Sequence, residues 1–269
     1  MSAILSLISV DSSDPRLAHY RDVGDPAALE RAGLFVAEGR LTVERLLADG
    51  RFGVDSIVAT PTAARAMGSV LDANRDTPVY VCEPALLEAI TGFNFHRGCL
   101  ALARRPALEA PVSSFARASR LLAVEGVGNP DNIGGLFRAA LALGAGGLLL
   151  DPSSGDPFYR KAIRTSMGAS LRVPFTRVDR WPSGLDELRA SGFRILALTP
   201  SPDAVAIDEV AVEPDSQVLL LLGSEGAGLG GAALRYADMK VRIPVDARAD
   251  SLNVVVAAAI ALHALRASR

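Results

Sequence analysis

Three separated stretches of the 269-residue chain combine polar side chains with glycines or with a predicted helix start in a way that suits small-molecule chemistry. In the first, residues 128–138, Asn132 is followed six positions later by Arg138, with Gly134 and Gly135 between them. Glycine is costly inside a helix, so two of them indicate that a backbone or ligand comes close. Six residues are nearly two helical turns, which keeps Asn132 and Arg138 within about 120° of each other. The alternative, a helix-capping Asn132 and a surface Arg138, stays open for this stretch alone.

The second stretch is the glycine-rich run 223–231, which follows the unbroken apolar run 218–222. Dense glycines let a backbone turn tightly and approach a ligand. The run matches neither the dinucleotide fingerprint in its usual strand–helix context nor the phosphate-binding loop with its lysine. An ordinary flexible loop is the alternative, but Glu225 among the glycines favours a carboxylate held there to bind an arginine or a substrate group.

The third stretch contains a short strand, 239–243, then Pro244, a polar loop and an apolar helix reaching about residue 265. Ser251 is predicted to cap this helix, because a serine hydroxyl can accept from the free amides of a first turn. The glycine-rich run and this helix start each follow a strand end. We therefore expect them to converge on one small molecule, the cofactor.

A fourth stretch is basic. Arg160, Lys161 and Arg164 are spaced to share one side of a helix, and Phe158 and Tyr159 precede them. Basic side chains beside aromatic rings suit RNA phosphates and unstacked bases. A solvated charged helix face is the alternative.

The elements that must position these residues alternate between strand and helix, which predicts an α/β fold. In residues 1–105 we expect strands at 34–36, 54–59, 79–81 and 99–103, and helices at 41–47, 62–71 and 84–90. From residue 118 onward we expect strands at 121–127, 147–150, 173–175, 193–198, 218–222 and 239–243, separated by helices at 132–143, 159–169 and 185–190. Residues 106–117, with two prolines, are the predicted linker between two domains, 1–105 and 118–269. The second sheet is predicted to be mostly parallel, with ligands beyond the carboxyl ends of its strands.

Composition narrows the classes of function. The net charge of −2 and a pI near 6.0 argue against a general nucleic-acid coat protein. The only lysines among the 28 basic residues are Lys161 and Lys240, so arginine, the better partner for phosphate, dominates. Cys82 and Cys99 are expected to be core thiols, and the three histidines form no ligand pattern, so no metal site is predicted. Without a membrane-length apolar run or a signal peptide, a cytoplasmic protein is expected.

Taken together, the first three stretches resemble the SpoU-type (TrmH-like) RNA ribose 2′-O-methyltransferases of the SPOUT superfamily. The first family motif is matched by residues 132–138, the second by 220–228, and the third by Ile243-Pro244 with residues 251–254. The resemblance covers about residues 118–269, and the first hundred residues resemble the family's accessory domain more loosely, best at residues 95–98. Two positions depart from the family pattern, which usually has glycine at Ala247 and often serine at Val255.

The resemblance implies a C-terminal SPOUT domain with a trefoil knot, preceded by a small ribosomal-protein-like RNA-binding domain. It also implies a homodimer formed through the C-terminal domain, S-adenosylmethionine as cofactor, RNA as substrate and no metal. The catalytic residue would be Arg138, ordered together with the substrate by Asn132, Glu225, Ser251 and Asn253. Cofactor contacts would come from Thr199, Leu222, Gly223, Gly228, Ile243, Leu252 and Asn253. RNA contacts would come from Arg160, Lys161, Arg164 and Ser166.

The RNA itself is not named by the sequence. Ribosomal RNA, 23S above all, is expected because the extra N-terminal domain resembles those of family members that act on it. Transfer RNA is the alternative, as is a non-catalytic RNA-binding protein of the same fold. The intact motif residues speak against the last of these, and a nicotinamide or ATP enzyme would need a fingerprint that the chain lacks.

Overall fold

The structure is a computed structural model that describes residues 7–11, 13–92, 97–106, 110–213, 215–246, 248–249 and 251–266. Phe95 and His96 of the accessory-domain match, residues 107–109 of the predicted linker, and Ala247 lie outside the described residues. The strands are β1 (Leu7–Ser9), β2 (Leu34–Glu38), β3 (Val54–Ala59), β4 (Val79–Val81), β5 (Cys99–Arg104), β6 (Arg120–Glu125), β7 (Leu148–Leu150), β8 (Phe175–Arg177), β9 (Phe193–Leu198), β10 (Val205–Ala206), β11 (Gln217–Gly223) and β12 (Met239–Arg242). The helices are α1 (Ala18–Arg21), α2 (Pro26–Arg31), α3 (Arg40–Asp49), α4 (Pro61–Ala66), α5 (Gly68–Ala73), α6 (Pro84–Thr91), α7 (Pro130–Leu143), α8 (Arg160–Thr165), α9 (Asp186–Ala190), α10 (Gly231–Tyr236) and α11 (Val254–Ala264).

Contacts divide the chain into two compact units. The first unit comprises Met1–Ala107 and Phe158–Leu171, and the second comprises Leu108–Pro157 and Arg172–Arg269. Helix α8 therefore groups with the first unit, although the sequence places it in the domain 118–269. This grouping follows from apolar packing, because the ring of Phe158 packs on Phe35 and Phe52, with centroid distances of 4.9 and 5.8 Å.

The first unit is built on a five-stranded mixed sheet of order β1-β4-β3-β5-β2. Strand β4 pairs parallel with β1 and β3, whereas β5 pairs antiparallel with β3 and β2. Its core is aliphatic with two buried tyrosines, and Tyr20 is fully buried with its hydroxyl 3.0 Å from Ser56 Oγ. The helix predicted at 62–71 is split into α4 and α5 at Met67.

The second unit is built on a seven-stranded sheet of order β10-β12-β9-β11-β6-β7-β8, in which every pairing is parallel. Residues 218–222 of β11 are all buried, because β6 and β9 flank this strand and helices cover the sheet. This confirms the predicted α/β fold class with a parallel second sheet. The trefoil knot implied by the resemblance stays a prediction.

Arg120, at the start of β6, ties the ends of two helices together. Its guanidinium donates to the carbonyl oxygens of Leu143 at the end of α7 (3.1 Å) and Leu262 in the last turn of α11 (2.9 Å). These carbonyls lack a full set of partners within their helices, and the positive charge suits the negative end of each helix dipole. Burial lowers the pKa of Arg120 from its usual value, but leaves the group a cation at neutral pH.

None of the helices that the structure describes is long and apolar enough to cross a bilayer. Within the same residues, no cluster of three or more histidine, cysteine or acidic side chains is arranged to hold a metal ion.

Candidate functional site

A pocket of about 540 Å³ opens at the carboxyl ends of β9, β11 and β12 in the second unit. Its lining includes six of the seven residues that the family resemblance assigns to the cofactor: Thr199, Leu222, Gly223, Gly228, Ile243 and Leu252. The seventh, Asn253, lies between the lining residues Leu252 and Val254. The volume falls within the range of about 300–1,000 Å³ usual for small-molecule sites.

The glycine-rich wall of this pocket is a tight turn over residues 224–228. Gly228 donates its amide to Ser224 O at 3.0 Å, and its φ of 66° lies in the left-handed region that favours glycine. A Cβ on Gly223 would lie 2.0 Å from the carbonyl carbon of Gly228, so the two backbone segments touch where a side chain would stand. Both glycines are therefore required by the turn, which is more ordered than the flexible-loop alternative.

Glu125, the last residue of β6, anchors the far end of the same turn. Its Oε2 accepts a hydrogen bond from the amide of Gly230 at 2.9 Å. The register places Glu125 beside Gly223 of β11, so one carboxylate reaches across the end of the neighbouring strand. Sequence reasoning missed Glu125; the signal available was its position at the end of a buried apolar strand.

Asn253 connects all three sequence stretches. Its Oδ1 caps α11 by accepting from the amides of Val255 (2.9 Å) and Val256 (3.4 Å). Because the oxygen is committed to the helix, the Nδ2 group is turned towards Asn132 and Glu225. It donates to Asn132 Oδ1 at 3.1 Å and to Glu225 Oε1. We call Asn132, Glu225 and Asn253 the three-residue network.

The caps differ from the sequence predictions. The cap of α11 is Asn253, so the prediction of Ser251 was wrong; Ser251 is exposed and lines the pocket. The cap of α7 is Asn129, whose side chain accepts from the amide of Asp131 at 2.9 Å. Asn132, weighed as a cap, instead lies within the first turn of α7, only 8% exposed, where it faces Asn253.

Arg138 lies further along α7 and is exposed, outside the described lining of the pocket. It shares the outward side of the helix with Leu141, three residues later, which is 39% exposed. Three residues before Arg138, Gly135 meets α11 so closely that a Cβ there would lie 2.6 Å from Val255 Cγ2. Val255, one of the departures from the family pattern, thus fills the space above this glycine.

Asp151 fixes the loop after β7. Its carboxylate is buried and accepts from the hydroxyls of Ser153 and Ser154, each at 2.5 Å, and from the amide of Gly126 at 3.0 Å. Burial acts to raise the pKa of Asp151, but these hydrogen bonds outweigh it and leave the pKa below its usual value. The loop that follows β6 is thereby held by an ionised side chain.

The basic stretch, whose contact with RNA stays a prediction, is partly engaged in contacts within the protein. In the first unit, Arg160 Nη1 donates to the buried carboxylate of Glu38 at 2.9 Å, while Lys161 and Arg164 are half-buried. Ser166 is 1% exposed and donates to Ile163 O at 2.9 Å. Its burial gives Ser166 a structural role in place of the RNA contact predicted for it.

Comparisons with known proteins agree with this geometry. Residues 119–263 match the SpoU rRNA Methylase family. A Mycobacterium bovis protein described as an uncharacterized tRNA/rRNA methyltransferase is 38% identical over 258 residues, covering 94% of this chain and 89% of the relative. A 23S rRNA (guanosine(2553)-2′-O)-methyltransferase of Bacillus subtilis is 34% identical over 157 residues, covering 58% and 61% of the two chains.

The fold is shared with solved structures. An AdoMet-bound rRNA methyltransferase from Sinorhizobium meliloti superposes with a TM-score of 0.82 at 24% identity, covering 96% of this chain and 97% of that one. The family match spans more than half of the chain, and the mycobacterial relative exceeds 30% identity over nearly all of it. The chain therefore belongs to the SpoU rRNA methylase family, which confirms the predicted family and the enzyme class of RNA methyltransferase.

Proposed function

We propose that this enzyme methylates a ribose 2′-hydroxyl in ribosomal RNA and that the ribosomal RNA is 23S rRNA. The observation that carries the proposal is the three-residue network, because it joins the three motif segments at the mouth of one pocket. The name of the Bacillus relative supports both the ribose position and the 23S substrate. Transfer RNA is the second candidate, favoured by the broader name of the mycobacterial relative.

The pocket suits the methyl donor in shape and chemistry. Most of its lining residues are apolar or glycine, and a Cβ on Gly226 or Gly228 would meet no atom within 4 Å, so the turn is open at these two positions. Thr199, Ile243 and Leu252 would hold the cofactor together with that turn. When bound, S-adenosylmethionine supplies an activated methyl group, so no metal is required for the transfer.

We assign the catalytic role to Arg138. A guanidinium is protonated at any pH at which the protein is folded, so it cannot act as a free base. Its planar donors can instead orient the ribose hydroxyl and a neighbouring phosphate, and stabilise negative charge as the hydroxyl proton passes to that substrate phosphate. Asn132, Glu225 and Asn253 hold the motif segments in register, and Ser251 contributes a hydroxyl at the pocket.

We also propose that the second unit forms a homodimer through α7 and α11. These helices pack on each other and still expose Leu141, Val256 and Ile260, at 39%, 47% and 39%. Val256 and Ile260 are four residues apart and so share one outward face of α11. Arg138 lies on the outward side of α7 with Leu141, at the border of this apolar face.

The substrate is tested by mapping ribose methylation in total RNA from cells with and without the gene. A single 23S position that loses its methyl group supports the proposal, whereas a loss confined to tRNA refutes the rRNA assignment. Turnover by Arg138→Ala is expected to fall about 100-fold or more with unchanged cofactor binding, as for other lost transition-state donors. Arg180→Ala, at an exposed arginine of the same unit, is the control. Full turnover by Arg138→Ala would refute its role.

Dimerisation is tested by sedimentation. Ile260→Glu is expected to shift the protein to monomer, because it buries a charge in an apolar interface. Val205→Glu places the same change at an exposed valine of the same unit, 36% exposed, and is expected to leave the dimer intact. A monomeric wild type would contradict the assembly.

A further inference from the structure

A cleft of about 200 Å³ lies within the first unit, beside the start of α3. Four arginines line it: Arg40, Arg45, Arg97 and Arg164. The chain as a whole has a net charge of −2, so this concentration of guanidiniums is a local departure from an acidic protein. We call it the arginine cleft.

The carboxylates close to these arginines do not cancel them. Glu38 is 4% exposed and pairs with Arg97 at 3.4 Å and Arg160 at 2.9 Å, while Glu44 pairs with Arg40 at 3.3 Å. The four guanidiniums that line the cleft therefore face two carboxylates, an excess of two positive charges. The Arg97 side chain is also fixed against the backbone, since a Cβ on Gly39 would lie 3.3 Å from its Cδ.

The rim of the cleft is apolar and exposed. Leu41 and Met167 line it and are 49% and 40% exposed, among the most exposed large apolar side chains described. Met167 has a φ of 53°, a left-handed conformation that is strained for a non-glycine residue. Arg45 donates to the carbonyl oxygen of Met167, which helps to hold this conformation and its outward side chain.

We propose that the arginine cleft binds one nucleotide of single-stranded RNA, with guanidiniums on its phosphates and Leu41 and Met167 against an unstacked base. The inference rests on the proposed RNA substrate and assigns a site for it in the first unit. Arginine pairs with phosphate through two parallel hydrogen bonds, and apolar as well as aromatic side chains pack against the face of an unstacked base. Sites for free small molecules usually have volumes of about 300 Å³ or more. The smaller volume of the cleft therefore suits one nucleotide of a longer RNA strand. An acidic peptide would satisfy the charge but leave the apolar rim unused.

The charge is tested by fluorescence anisotropy with a short labelled single-stranded RNA over a range of salt concentrations. The double variant Arg40→Gln/Arg97→Gln removes two contacts, so its logarithmic salt slope is expected to fall by about 1.4. If the variant and the wild type bind equally at about 1 M salt, this change in slope makes the variant bind RNA about 25-fold more weakly than the wild type at about 0.1 M salt. The control Arg65→Gln/Arg75→Gln removes two exposed arginines of the same unit outside the cleft and is expected to bind like the wild type.

A second double variant, Arg40→Gln/Arg45→Gln, leaves both partners of the buried Glu38 in place and guards against a folding defect. The apolar rim is tested by Leu41→Ser/Met167→Ser. It is expected to weaken RNA binding about fivefold or more, the lower end of a base-stacking contact, without weakening binding of inorganic polyphosphate.

Equal RNA binding by the cleft and control variants would overturn the proposal. So would displacement of RNA by poly-glutamate at the same charge concentration, which would indicate a site for acidic proteins. Calorimetric titration of the same proteins with S-adenosylmethionine separates this inference from the proposed function. Cleft variants are expected to keep normal cofactor binding, whereas failure of the wild type to bind the cofactor would count against the proposed function alone.

Discussion

The donor role of Asn253 can be separated from its capping role by one substitution. Asn253→Asp keeps an oxygen to accept from Val255 and Val256, and a negative charge suits a helix start. It removes both hydrogen bonds donated by Nδ2 and places a second carboxylate against Glu225. The variant therefore tests the three-residue network with the helix cap retained.

Two lost hydrogen bonds, at about 0.5–1.5 kcal/mol each, predict a loss of about 1–3 kcal/mol in the free energy of unfolding before repulsion is added. If the network holds the motif segments in their catalytic arrangement, about 1.4 kcal/mol of that loss expressed in the transition state lowers turnover about tenfold. Urea titration measures the first quantity, and methyl transfer to RNA from labelled S-adenosylmethionine measures the second.

The control and the rescue make the result decisive. Asn129→Asp is the same change at the cap of α7, whose side chain accepts from Asp131, and is expected to be nearly neutral. Glu225→Gln introduces an amide that can donate to the new aspartate, so the double variant is expected to recover much of the lost stability and turnover. If Asn253→Asp behaves like Asn129→Asp, or if Glu225→Gln fails to improve it, the network does not couple the segments.

Three further changes test neighbouring parts of the second unit. Gly135→Ala is expected to destabilise the fold by about 1–3 kcal/mol through overpacking on Val255, outweighing a helix-propensity gain of up to about 1 kcal/mol. Adding Val255→Ala removes the γ carbons at 2.6 and 2.9 Å and leaves only the Cβ at 3.3 Å, so it should restore most of the loss in urea titration. A stabilising Gly135→Ala would contradict the contact. The lowered pKa of Asp151 means that its contribution to stability is complete above the usual pKa of 3.8 and is lost as pH falls through the folded-state pKa. Asp151→Asn should therefore flatten the acid side of a melting-temperature profile, and an unchanged profile would refute this. Glu125→Ala should raise the KM for S-adenosylmethionine by releasing Gly230, while Glu125→Gln retains an acceptor and should stay near wild type; equal KM values for the two variants would count against the anchor.

The fold could be predicted largely because its central strands are apolar runs too short for helices. Residues 218–222 are the clearest case, and the structure buries all five. Elements whose stability comes from neighbours could not be predicted. Strand β10 has two residues, and α10 begins at Gly231 in a run whose glycines indicate a loop.

Six of the seven predicted cofactor-contact residues line one pocket, but the hydrogen bonds that connect the stretches could not be predicted from the sequence. Two cap candidates, Ser251 and Asn253, lie two positions apart, and local sequence favours either. The choice is settled by hydrogen bonds to Asn132 and Glu225, which are distant in the chain. The burial of Ser166 likewise depends on contacts beyond its own helix, including Ser170 Oγ at 3.3 Å.

The strand order of the second sheet also determines when its strands can pair during translation. Strand β6 starts at residue 120, yet its partner β11 starts at residue 217. At translation rates of about 5–20 residues per second, β6 waits roughly 5–20 s on the ribosome with one apolar edge uncovered. Asn253 emerges later still, so a nascent chain acquires its catalytic pocket only after nearly all of the second unit has been made.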